Sequence, residues 1–583
     1  MNEFFEFSKS DLTHPRFALI GWPPIIGSLT VWLEPYSSAL FFVSFYGWWR
    51  LSQEYPHEKK WIEKARSRYH AMDYYSAVGV LRAKPRLMGY KAQFDSQSLN
   101  VRALLRAGEH LNAREEINAI KEDGLLRDEK DHLTVLRAEY YLTVGDFVLF
   151  NKEVEQWPER EITQSTEKTI LKGVSLRESE KLSEAREILE QRISRESSPA
   201  FLSKLYNDLS NTEGLAGRPG NQKYHLQAAW IFWCRDPDLA LIPVLPHNYA
   251  ISLVKNGDLE KAETLVNEVW KVINKGEKAQ VLAWHNFAVE VGREAGRKTW
   301  IQSAYNEFEE ASKELTFSKS EKVTLRVTTL RMEFNDDILE DFNEYPERVR
   351  AIAHEIKVLS GPEQVSALIE VTQVLQQILG QRCANTRVER ELIELLACCE
   401  KLLLERESIV DSQLTNLPPE LVNKKQKWLS YRHEIEKIRI DKSTEFPELS
   451  FKRLFQGQRE RAELYYEKGS HREALDAWVI ICDEYVSYKM QVPEQWGKRL
   501  TEQHEELALY ALERAEEILH KKTVMAGVEE KIIGLAEFQI KLRGDYQAAE
   551  EWLGRFDATE HSLNHSAKWL REKYKKISAQ VTG

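Results

Sequence analysis

Apolar residues recur at three- and four-residue spacing along most of this 583-residue chain, the periodicity of helices that bury one face. The helical pattern is punctuated repeatedly in one way: a small residue, then a turn, then, about twelve positions after the first, a second residue that is usually Ala. This arrangement predicts a stack of antiparallel helix pairs. Its clearest copies run from Ala250 through Gly257-Asp258 to Ala262, from Ala462 through Gly469 to Ala474, and from Gly544-Asp545-Tyr546 to Ala549. Weaker copies centre on Ala65 with Asp73-Tyr74 and Ala77, on Val101 with Gly108 and Ala113, on Ala138 with Gly145-Asp146-Phe147, and on Gly173 with Leu182 and Ala185. Trp284, Phe287 and Ala288 open a further copy, closed by Ala304, Phe308 and Ala311 after a turn lengthened by about four residues.

The chemistry of the pattern is packing. A small side chain on the first helix lets the second lie close, and a Gly-Asp pair lets the chain reverse between them. Successive small residues from Ala65 to Gly173 recur about every 35–37 positions. These residues resemble the tetratricopeptide (TPR) repeat, whose period is roughly 34. The resemblance spans residues 60–315 and 452–557 and implies an all-α, TPR-like helical solenoid. In between, Val365 to Leu379 and Glu389 to Leu404 keep helical spacing without a repeat, while Asn416-Leu-Pro-Pro419 and Phe446-Pro447 break helices and place a joint near 406–450. The expected organisation is an apolar hairpin over 1–55, TPR-like repeats over 56–315, an irregular helical region and joint over 316–450, and C-terminal TPR-like repeats with a terminal helix over 451–583.

The N-terminal expectation rests on charge. From Phe17 to Trp49, 33 residues contain one charge, Glu34, and Glu34-Pro35 splits the run into two apolar arms. Each arm, if helical, reaches only about 21–26 Å against a hydrocarbon core of about 30 Å. Pro23-Pro24 kinks the first arm, so a tight hairpin and a re-entrant or shallow insertion both stay open. No small-x-small cleavage site follows, so the segment is expected to be retained. Trp22, Trp32, Trp48 and Trp49 are candidate interfacial anchors. The basic flank Arg50, Lys59, Lys60, Lys64, Arg66 and Arg68 predicts an inner (cytoplasmic) membrane location with the repeats facing the cytoplasm. The competing reading is an apolar element that caps the first repeat or is buried by a partner.

Composition narrows the function classes. A net charge of −11 argues against a general nucleic-acid binder, because neutralising phosphates needs a basic surface. Cys234, Cys383, Cys398, Cys399 and Cys482 form an odd set without C-x-x-C spacing, which predicts reduced, mostly buried thiols. Catalytic signatures fail on inspection. Gly292-Arg-Glu-Ala-Gly-Arg297-Lys298-Thr299 approaches a phosphate-binding loop, but Arg297 stands where the second glycine belongs, and a lengthened repeat turn is the better reading. Glu560 lies outside the His561/His565 pair, so the metalloprotease pattern is not met. No catalytic residue, cofactor or metal is expected, and the chain reads as a non-enzyme.

What the TPR resemblance implies is interaction. In that family, first-helix residues one turn either side of the small residue line a concave groove that holds a peptide or a partner helix. Carried onto this chain, the groove consists of His247, Asn248, Ile251, Val254 and Lys255 around Ala250, and of His285, Asn286, Val289 and Arg293 around Ala288. Asn side chains pair with an extended backbone, and the two cations attract carboxylates. A structural alternative stands beside this: His247 and His285 hydrogen-bond between stacked helices. Tyr465, Tyr466 and Trp478, aromatic at helical spacing, are expected in the core. The expected function is a membrane-tethered cytoplasmic scaffold that recruits or positions a protein partner, on a plan resembling bacterial inner-membrane TPR proteins. The alternatives are a soluble regulator whose apolar N-terminus docks on a partner, and a membrane-perturbing defence effector with a repeat sensor.

Overall fold

The computed structural model describes residues 59–554, except 85–89, 123–124, 180, 314, 316–322, 324, 327–344, 381–385, 419–420, 443–447, 492–501 and 522–528, together with 568, 571 and 572. Every described element is helical. The first stretch pairs consecutive helices as the small residues require: Tyr90–Arg106 with His110–Ala119, Arg127–Val144 with Phe147–Glu155, Thr166–Glu178 with Leu182–Ile193, Pro199–Leu215 with Pro219–Trp233, Leu245–Lys255 with Leu259–Val272, and Lys278–Glu294 with Lys298–Ser312. Ala77, Val101, Ala113, Ala138, Ala185, Ala250 and Ala262 have no exposed surface. A bulky residue at these points would force the paired helices apart. Near the other end, Glu448–Glu467 pairs with His471–Gln491 around Ala462 and Ala474, and Glu529–Phe538 leads through Gly544 to Tyr546–Gly554 around Ala549. Trp478 is buried there, with Tyr465 and Tyr466 packed against the same core.

Between the two repeat arrays lie Tyr345–Val358, Gly361–Gly380, Thr386–Leu404, Glu407–Asn416 and Val422–Lys442, which share one core. The helix Val422–Lys442 lies between the two proline-marked breaks at 416–419 and 446–447. It packs on Gly361–Gly380, Thr386–Leu404, Glu407–Asn416, Glu448–Glu467 and also on Arg127–Val144. Its buried face includes Glu436, 1% exposed, held by Arg439 at 3.0 Å and Arg453 at 3.6 Å. Those same guanidiniums hold Glu407, at 2.6 Å and 3.2 Å.

The arrays also meet out of sequence order. Val148 N donates to Lys468 O at 3.2 Å, and Lys468 Nζ lies 2.6 Å from the buried Asp146 carboxylate. Asn423 Nδ2 donates to Thr143 O at 3.0 Å, Lys424 Nζ donates to Gly108 O at 2.8 Å, and Leu421 joins the core around Leu104 and Leu133. Gly145, at φ +85°, adopts the left-handed conformation that favours glycine, and a Cβ there would displace the Asn423 side chain, whose Oδ1 would lie 2.4 Å away. At the start of the chain, Gln280 Nε2 donates to Ala71 O at 3.3 Å and Arg68 lies 3.8 Å from Glu277. The winding of the repeats thus returns the chain onto its own early turns.

One expectation is corrected. The inner-membrane location is withdrawn, because no helix among the described residues is long and apolar enough to cross a membrane. The N-terminal apolar hairpin gains no support: residues 17–49, with Trp22, Trp32, Trp48 and Trp49, lie outside the described residues, as do Cys383, His561 and His565. The thiols divide evenly where they are described, with Cys234 and Cys398 exposed and Cys399 and Cys482 buried. Burial pushes the Cys399 thiol up to about 12. The phosphate-loop near miss is the turn between Lys278–Glu294 and Lys298–Ser312, with Gly296 at φ +60°.

Candidate functional site: the first-helix face

Leu245–Lys255 and Lys278–Glu294 lie side by side as the first helices of neighbouring pairs. The first carries Pro246 in its opening turn, where a missing N–H costs nothing, and turns at Gly257 into Leu259–Val272. Leu245, Tyr249, Ala250 and Leu253 face the core and leave His247 and Asn248 half-buried at the junction with the next pair. In Lys278–Glu294 the buried set is Val281, Trp284, Phe287, Ala288 and Val291, with Asn286, Glu290 and Arg293 exposed.

The two His-Asn copies are not equivalent. His247 Nε2 lies 2.8 Å from Glu290 Oε2, so it bridges the two first helices at the surface. His285 is 1% exposed, its ring 4.5 Å from that of Phe308, and its Nδ1 has no hydrogen-bond partner. Burial pushes the His285 imidazole down to about 4, against a side-chain hydrogen bond with Asn286. His285 therefore belongs to the core of its pair and is removed from the groove. Val289, 1% exposed, is likewise in the core, while His247, Asn248, Lys255, Asn286 and Arg293 lie on two adjacent first helices. Lys255 Nζ lies 3.7 Å from Glu294, and Arg293 has no ion pair among the described residues.

A second feature of this face lay outside the sequence reading. Ion pairs run from the first helix of one pair to the first helix of the next along the array. Arg102 holds Glu139 and Glu167, each at 3.0 Å; Arg177 holds Asp208 at 2.8 Å; His247 and Lys255 continue to Glu290 and Glu294. Burial opposes charge on Arg102, yet Glu139 and Glu167 raise its pKa above the ordinary value. Burial raises the Asp208 carboxyl despite Arg177 beside it. The available signal was opposite charge recurring at about one repeat length, which is visible only once the helices are known to be neighbours. Chemically, the face is polar and mostly self-paired. Lys255, in a long ion pair, and Arg293 are the cations most open to a carboxylate.

No family model and no curated protein matches this chain. Among solved structures it is similar to Naa15/Naa10 bound to HypK-THB, at 12% identity over 90% of this chain and 79% of that chain, with a TM-score of 0.21. It is also similar to a circular tandem repeat protein with novel repeat topology and enhanced subunit contact surfaces, at 15% identity over 85% and 97%, with a TM-score of 0.14. At such TM-scores neither likeness carries weight for fold or function. The assignment of an all-α repeat solenoid rests on the helix pairs and their buried small residues.

Proposed function

We propose that this chain is a non-enzymatic protein-interaction scaffold whose first-helix face recruits a protein partner. The observation that carries the reading is the placement of Asn248, Lys255, Asn286 and Arg293 on two adjacent first helices, with both cations exposed. Amides at that spacing offer paired donors and acceptors to an extended backbone, and the cations favour acidic side chains. Solenoids present extended surfaces of this kind because each repeat adds one helix to the same face.

The test joins recruitment to folding. The full chain, its Asn248→Ala/Asn286→Ala double variant and its Lys255→Glu/Arg293→Glu double variant are compared by affinity capture and thermal melting. The amide variant should capture less partner at unchanged melting, and the charge reversal should lose more, with an effect that weakens in salt. Undiminished capture by well-folded variants would remove this face from the reading.

A further inference from the structure

The first repeat array meets the later part of the chain through contacts unlike those inside it. Within the array, paired helices touch at residues without exposed surface, Val101, Ala113 and Ala138 among them. Against the later helices the apolar part is small: Leu421, with Leu417 beside it, reaches the core around Leu104 and Leu133. The other contacts are polar and sit at turns. Asn423 and Lys424 donate to Thr143 O and Gly108 O, and the turn after Glu448–Glu467 meets the start of Phe147–Glu155.

That last contact is chemically specific. The first N–H groups of a helix lack intrahelical acceptors. In Phe147–Glu155, Leu149 N donates to Oδ1 of the capping Asp146 at 3.2 Å, whereas Val148 N donates to Lys468 O at 3.2 Å. The other Asp146 oxygen, Oδ2, accepts from Lys468 Nζ at 2.6 Å. Asp146 is 1% exposed, so while the turns touch, its charge depends on Lys468. When they part, water reaches the carboxylate, the ammonium and the Val148 N–H, and each bond is exchanged for one to water at small net cost. Salt screens the pair and favours the separated charges. What opening offers to a partner is this helix start: Val148 and Leu149, both exposed, beside an unpaired carboxylate and a free N–H.

We propose that Asp146 and Lys468 form an electrostatic latch that opens and closes about the Leu421 anchor while the repeats on both sides stay folded, its open fraction rising with ionic strength. The latch is separate from the first-helix face, so the Asn248→Ala/Asn286→Ala variant should leave it intact.

The Val148 N–H is a reporter already in place, because its acceptor lies on the far side of the latch. Hydrogen exchange of the full chain is followed by mass spectrometry on peptides covering residues 144–152, with peptides from Leu245–Lys255 as the internal reference. Exchange at 144–152 is expected to quicken as salt rises. Lys468→Met, which keeps the stem and removes the charge, should quicken it about tenfold or more at low salt by leaving the buried carboxylate unpaired, and should abolish the salt dependence. Asp146→Asn keeps a helix-capping acceptor and carries the test if the Lys468→Met chain does not fold; it should quicken exchange severalfold. The reference peptides should not change. Salt-insensitive exchange in the parent, unchanged exchange in folded Lys468→Met or Asp146→Asn chains, or a rise shared equally by the reference peptides would each overturn the latch.

Discussion

The helix pairs built on Ala250 and Ala288 carry the same His-Asn dipeptide at the same place in the repeat, and the structure uses it differently in each. His247 stands at the junction between first helices and holds Glu290. His285 is turned under Phe308 and shielded from water. The difference comes from the second helix. Lys298–Ser312 brings Phe308 over His285, and the residues flanking His285 on its own helix, Val281, Trp284 and Val289, are themselves buried. The lesson is that repeat register assigns a residue to a helix face, whereas the neighbours decide whether that face is groove or core.

The largest expected effect tests what the two pairs share. Ala262→Trp and Ala304→Trp should each destabilise the fold by about 1–3 kcal/mol or more, because both alanines sit where paired helices touch. Thermal melting checks this against the exposed Glu260→Gln, and a variant that melts like the parent would separate the two pairs.

The next effect sharpens the difference between the histidines. With the folded pKa of His285 near 4 and the unfolded value near 6.5, both states are neutral at pH 7. Below pH 6.5 the unfolded chain takes up a proton that the folded chain does not, so stability falls progressively as pH drops towards 4. The contribution is on the order of 3 kcal/mol across that window. His285→Leu should flatten this part of the pH–melting profile; an unchanged slope would place His285 back at the surface.

Smaller effects belong to the exposed pairs. Glu290→Gln breaks the His247 bridge and should change stability by less than about 1 kcal/mol, with any loss fading in salt. Lys255→Gln acts on a longer and more exposed pair and should stay within about 0.5 kcal/mol. Denaturant melts at low and high salt distinguish both from the buried histidine, and a loss from Glu290→Gln equal to that from Ala262→Trp would mean that the bridge is part of the core.

The repeats were legible because packing between paired helices leaves a local trace. Ala250 and Ala262 are twelve residues apart and meet in one hairpin, so the size restriction at one is written close to that at the other. The middle of the chain was harder to read for a physical reason. Val422–Lys442 buries Gln426, His433 and Glu436 against partners on other helices, Arg461, Glu484 and Arg453. Polar groups buried in this way interrupt the apolar periodicity that announces a buried helix.

The sequence by itself determined the class of element, the pairing of neighbouring helices and the turns between them, since these follow from small residues, glycines and spacing within about forty positions. Only the tertiary structure decided which of two identical dipeptides is buried, which charges meet between repeats, and that the turn at Asp146 docks on the turn at Lys468, 322 residues away. Those outcomes depend on the angle at which each pair stacks on the last. Small rotations accumulate along a solenoid, and no single repeat records their sum.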